Sequence, residues 1–148
     1  MSGRADLFFV DTNVLLYSVD VSDMAKHERA RKWMEALWST DSGRLSWQVL
    51  NEFYSNAVGK LKQGSAAARE NVDALALWQP ADFGLPLLHR AWYWSDQTGV
   101  AYWDSLIIAA AEATGCRYLL SEDFQAGQKF GEIRVVHPFN ADPAAYLT

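Results

Sequence analysis

Four consecutive apolar residues, Leu7 to Val10, are stopped by Asp11, Thr12 and Asn13, and this junction restricts the fold more than any other stretch of the chain. A short apolar run without polar alternation suits a strand buried on both faces, as in a parallel sheet covered by helices. Its end then falls at an acid that can also cap a helix.

The remaining chain repeats the alternation. Ala30, Trp33, Met34 and Leu37 recur at i, i+3, i+4 and i+7, so residues 27–38 are expected to form an amphipathic helix whose basic residues Arg29, Arg31 and Lys32 are solvated. Asp41, Ser42 and Gly43 make a turn before a short strand around 44–46. Helical spacing resumes through Leu50, Phe53, Tyr54, Ala57 and Leu61 over 47–61, and Gly64 and Ser65 break it. Further helices are expected over about 66–78 and from Pro86 to Gly99, with proline suited to the first turn. The strongest helical segment spans 102–114 and meets Gly115, a natural C-terminal cap. Residues 118–120 and 133–136 read as strands, the latter closed by Pro138. Such alternation predicts an α/β fold with parallel pairing and helices on both faces.

Of the 148 residues, 50% are hydrophobic and 21% charged, with a formal net charge of -5. These are globular values, and 1–148 reads as one domain without repeats or a long linker. The apolar run at 106–111 is far short of the roughly 20 residues a membrane span needs, so no membrane association is expected. Asp6 and Asp11 bracket the first apolar run and spoil a secretory leader pattern, which makes the cytoplasm the expected compartment. The single cysteine, Cys116, has no partner for a disulfide or a sulfur-rich zinc site and is expected to pack in the core. No spacing relates His27, His89 and His137, and none is assigned a catalytic role.

Open parallel sheets bind ligands outside the carboxyl ends of their strands. Asp11 follows one such strand, and Asp123 follows another after Ser121. Asp104 lies in the first turn of the 102–114 helix on the face of Ile107, Ile108 and Ala111, which directs its carboxyl inward. Glu52 shares a polar stripe with Gln48 and Asn56 beside Leu50 and Phe53. Singly, each acid has an ordinary reading: Asp11 a helix cap, Asp123 a turn residue, Glu52 a solvated position, Asp104 a partner of the helix dipole. Their coincidence is the argument. Four acids facing one sheet edge repel one another unless a cation joins them, and carboxylate oxygens favour Mg2+ or Mn2+ over zinc.

The segments VDTNVLLYS (10–18), SWQVLNEFY (46–54), AYWDSLIIAAA (101–111) and YLLSEDFQAG (118–127) resemble, in order and spacing, those of PIN-domain proteins, with the closest similarity to VapC-type toxins. The likeness covers about residues 7–140. It implies a three-layer α/β/α sandwich around a mostly parallel sheet and metal-dependent endoribonuclease activity, as in the toxin of a toxin–antitoxin pair. Position by position, Asp11, Glu52, Asp104 and Asp123 match the family's four acids. Asp11, Asp104 and Asp123 are then expected ligands of Mg2+ or Mn2+, and Glu52 a ligand or the group orienting the attacking water. Asn13 and Ser121 match polar residues that support the pocket. Glu122, beside Asp123, leaves the fourth position ambiguous. The implied partners are an RNA substrate, a cognate antitoxin protein and a second copy in a homodimer.

A pI near 5.1 argues against RNA binding through overall charge. The four acids nevertheless account for all but one of the net negative charges, which leaves the remaining surface near neutrality. Candidate phosphate contacts are Arg29, Arg31 and Lys32 on one helix and Lys60, Lys62 and Arg69 around a helical hairpin, although plain solvation is the ordinary reading of each and the favoured one. Trp92, Tyr93, Trp94, Tyr102 and Trp103 could stack on bases or meet a protein partner, while core packing is their ordinary use. A haloacid-dehalogenase-like phosphatase would need a second aspartate at position 13, where Asn13 stands. A receiver-like module would need paired acids after the first strand and a late lysine, where His137 stands. A catalytically idle PIN-like scaffold is the remaining alternative.

Overall fold

The computed structural model describes residues 6–147. Five strands, β1 (Phe8–Val10), β2 (Gly43–Arg44), β3 (Tyr118–Leu120), β4 (Lys129–Phe130) and β5 (Ile133–Val136), form one sheet in the order β2-β1-β3-β5-β4. Helices α1 (Thr12–Tyr17), α2 (Met24–Thr40), α3 (Trp47–Gly59), α4 (Ser65–Leu75), α5 (Leu85–Thr98) and α6 (Tyr102–Ala113) flank it, giving the expected α/β/α sandwich. Phe8, Phe9 and Val10 are wholly buried, as an apolar run without alternation requires. Trp33 of α2 packs on Phe8 with ring centroids 5.5 Å apart, and its indole N–H donates to the carbonyls of Pro138 and Ala141. On α6 every residue from Ser105 to Ala111 is buried, and α6 packs against α5 and β3.

The chain runs from β1 to β2 on one side and later returns to β3 on the other side of β1. The carboxyl ends of β1 and β3 therefore flank the crevice created where strand order reverses, the usual ligand position in such sheets. Asp11 N–H donates to the Leu120 carbonyl at 3.1 Å, carrying the pairing one residue past β1.

Several expectations are corrected. The mostly parallel sheet holds from β2 to β5, and the sequence reading lacks only β4, which joins β5 antiparallel because the short turn at Gly131 and Glu132 alone separates them. The strand near 44–46 is confined to Gly43–Arg44, since the Leu45 carbonyl is taken by the Ala81 N–H. Gly43 is required there: a Cβ would run into the buried Trp78 ring. The helix expected over 66–78 ends at Leu75 and tightens into a 3₁₀ turn over Ala76–Trp78. The basic residues of α2 are not simply solvated. Arg29 and Lys32 both reach Asp142, at 3.8 and 2.9 Å, and Arg31 pairs with Glu35 at 3.5 Å. No helix among the described residues is long and apolar enough to cross a membrane.

Candidate active site

Asp11 caps α1 from an extended backbone (φ -77°, ψ 160°), which turns its carboxyl back over the end of β1. It is only 6% exposed. One oxygen accepts from the Thr12 N–H at 2.8 Å and the other from the Ser121 hydroxyl at 2.7 Å. Ser121, wholly buried just after β3, is the hub of the site. Its hydroxyl donates to Asp11 and accepts from the Asn13 amide at 3.3 Å and the Asp123 N–H at 3.0 Å. Asn13 also donates to the Asp123 carboxylate at 3.1 Å, and its carbonyl oxygen accepts the Glu122 N–H at 3.4 Å. One turn of α1 thereby clamps the loop that follows β3.

The two neighbouring acids meet different partners. Glu122 is held by Lys26 of α2 at 2.9 Å, while Asp123 is the one bonded to Asn13.

Glu52 projects from the middle of α3. Its carboxylate accepts from the Thr12 hydroxyl at 3.2 Å, and the nearby Gln48 amide reaches the Trp103 carbonyl at 3.5 Å. Asp104 lies in the first turn of α6. It is half-buried rather than fully inward, since the start of that helix opens to the crevice.

Burial raises the Asp11 carboxyl from 3.8 to about 6; the bonds from Ser121 and Thr12 oppose the rise, and the charges of Asp123 and Glu52 add to it. Glu52 is also raised, by loss of water first and then by Asp104 and Asp123. Asp104 is raised by burial and by Asp123. The four acids predicted from sequence therefore share one electrostatic neighbourhood. Among the described residues, however, no three His, Cys, Asp or Glu side chains stand in a ready ligand cage for a metal ion. The donor chemistry still fits a hard divalent cation: carboxylate oxygens, hydroxyls and an amide, with a buried carboxyl whose charge a cation would favour.

Sequence reasoning missed Thr12, which braces Glu52; its position between Asp11 and Asn13 was the available signal. The aromatic set is mostly not core. Trp94 is 8% exposed, but Trp103 is 65% exposed beside Asp104, and Trp92, Tyr93 and Tyr102 are also exposed. Cys116 is buried as expected, and burial pushes its thiol up to about 12. An apolar concavity of ≈620 Å³ lies among α1, α2, α3 and α4, lined by Leu15, Met34, Trp38 and Phe53 among others. None of the four acids borders it.

The family model for the PIN domain matches residues 8–129. This chain belongs to the PIN-domain family. The match spans all four acids. Among solved structures, this PIN domain is similar to the Mycobacterium tuberculosis toxin VapC20, described as cleaving the sarcin-ricin loop: TM-score 0.60 and 23% identity, covering 86% of this chain and 98% of that one. That likeness is one of fold. Among curated proteins it is similar to the nuclear pore complex protein Nup133 of Danio rerio, 26% identical over 150 residues. The alignment covers 95% of this chain but only 13% of that much longer protein.

Proposed function

We propose that this PIN domain is a Mg2+- or Mn2+-dependent endoribonuclease and the toxin of a toxin–antitoxin pair, acting in the cytoplasm on an RNA whose phosphodiester it hydrolyses. One observation carries the reading: a buried carboxyl, Asp11, lies at the carboxyl end of the sheet and is tied through Ser121 and Asn13 to a second carboxylate, Asp123. Crowding acids in this way is costly to a fold unless a cation relieves it.

Asp11, Asp104 and Asp123 would hold the ion. A bound divalent cation supplies neutralisation of charge on the phosphoryl oxygens and a more acidic water. The chain's own groups prepare the site. Ser121 and the Thr12 N–H fix both oxygens of Asp11, and Asn13 aims Asp123. The Thr12 hydroxyl holds Glu52, whose raised proton affinity suits it to orient a water and accept its proton. The antitoxin and the homodimer are proposals that rest on the VapC-type resemblance.

The test is RNA cleavage with Mg2+ or Mn2+, with EDTA, and with Asp104→Asn. Cutting that requires the ion and falls by roughly 10²- to 10³-fold in the variant supports the proposal. Cutting that survives the substitution marks a contaminating nuclease, and no cutting of any RNA favours a scaffold role.

A further inference from the structure

Phe8, Tyr118, Arg134 and Lys129 lie in one row across β1, β3, β5 and β4, so their side chains share a face of the sheet. The row grades from a wholly buried phenylalanine, covered by Trp33 and Tyr146, to two exposed cations. Arg134 and Lys129 are direct cross-strand partners, an arrangement in which like charges destabilise the pairing. Among the described residues neither is joined to an acid. A lysine on the edge strand β4 has the ordinary use of discouraging edge-to-edge association. Arg134 does not, because β5 is an interior strand. Together with Arg117, Tyr118, Glu132 and Tyr146 they line a concavity of ≈330 Å³. Arg117 is 3.8 Å from Asp6, and its guanidinium lies 5.8 Å from the Tyr118 ring centre.

Arg134 and Lys129 stand out against the candidates on α2, each of which already faces an acid, as Arg117 faces Asp6. We propose that Arg134, Lys129 and Arg117 form a second site that binds the phosphodiester backbone of RNA away from the acidic crevice. A polyanion relieves the repulsion that the register imposes, and it supplies retention that a crevice of four carboxylates cannot. Backbone binding of this kind positions RNA without reading its sequence. The inference rests on RNA being the substrate, and its test is independent of cleavage.

Binding of labelled single-stranded RNA by the full chain is measured in EDTA between 50 and 200 mM salt, for wild type and for Lys129→Gln/Arg134→Gln. Loss of two phosphate contacts makes the slope of log affinity against log salt shallower by about 1.4, so the affinity lost across that salt range shrinks about 7-fold. Weakening is uniform across RNA sequences, and Arg134→Lys largely retains the wild-type slope. Melting temperatures at or above that of wild type establish that the variants fold. An unchanged slope, or no RNA binding by wild type, overturns the proposal. So does a changed oligomeric state with an unchanged slope, which gives the row to a protein interface. Loss of inorganic pyrophosphate binding with RNA binding intact gives it to small phosphates and likewise overturns the RNA assignment. A changed slope in a chain that cuts no RNA supports this site and sinks the nuclease reading alone.

Discussion

Two regions of one sheet crowd like charges, and they do so by different means. At the carboxyl ends of β1 and β3, acids are gathered by hydrogen bonds: Ser121, Asn13 and Thr12 each hold a carboxylate. Two residues before the end of β5, Arg134 is placed beside Lys129 of β4 by strand register, without such a network. Side chains locked by supporting hydrogen bonds suit chemistry that depends on orientation. Exposed cations on a row suit a ligand met through charge, where orientation matters less. The contrast predicts that the acidic end is sensitive to single atoms and the cationic row only to charge.

The sharpest way to break that contrast is to remove the hub hydroxyl. Ser121→Ala leaves a buried Asp11 oxygen without its donor and releases Asn13 and the Asp123 N–H. Metal affinity is expected to fall about 10- to 100-fold by titration, with a parallel loss of metal-dependent cleavage. Unaltered affinity would show that the network is ornamental to the site.

A second effect concerns stability in the absence of metal. Because the native Asp11 carboxyl is raised from 3.8 to about 6, the folded chain holds more protons than the unfolded chain between those values. The stability this group contributes is full below about pH 3.8 and is lost as pH rises through about 6, on the order of 3 kcal/mol. Asp11→Asn removes that loss. In EDTA at pH 7 the variant is expected to melt above wild type, with the advantage shrinking toward pH 4. A variant that melts lower at pH 7 and keeps the wild-type gain on adding Mg2+ would count against a shared site.

A core change supplies the comparison for both. Gly43→Ala drives a Cβ into the Trp78 ring, and overpacking of this kind costs about 1–3 kcal/mol. Chemical denaturation should show that loss with the stabilisation by Mg2+ unchanged, since β2 lies outside the acidic crevice. The smallest expected effect is at Thr12. Thr12→Val removes one hydrogen bond to Glu52, worth about 1 kcal/mol, and should lower kcat more than it raises KM, whereas Thr12→Ser restores both.

Much of this architecture can be read from the residues. β1 is apolar and buried on both faces, and β3 and β5 are apolar but for the exposed Arg134 and the half-buried Tyr118, so their composition marks them without any need for alternation. Asp11 and Asp123 follow because strand ends are where this class of sheet binds ligands. The helices of 47–59 and 102–113 declare themselves by periodicity, which sets Glu52 and Asp104 on defined faces. The missed parts have physical reasons. β4 is two residues long, below any periodic signal. α1 is a six-residue helix whose start is fixed by the Asp11 cap rather than by its own pattern. The acids that meet α2, Glu122 and Asp142, are about 100 residues distant in the chain, so its basic face looked solvated. Trp103 and Trp94 are the same residue type in similar surroundings of sequence, and only packing separates the exposed ring from the buried one. The repulsion between Lys129 and Arg134 exists only once β4 and β5 pair.

The central claim is that positions 11, 52, 104 and 123 answer to a common cation. Calorimetric titration of the metal-free protein with Mn2+ tests it without reference to any substrate. Wild type should bind one or two ions per chain, and Asp11→Asn and Asp104→Asn, on different elements, should each weaken that binding at least tenfold. Binding left intact by both substitutions, or absent from wild type at millimolar Mn2+, would contradict it.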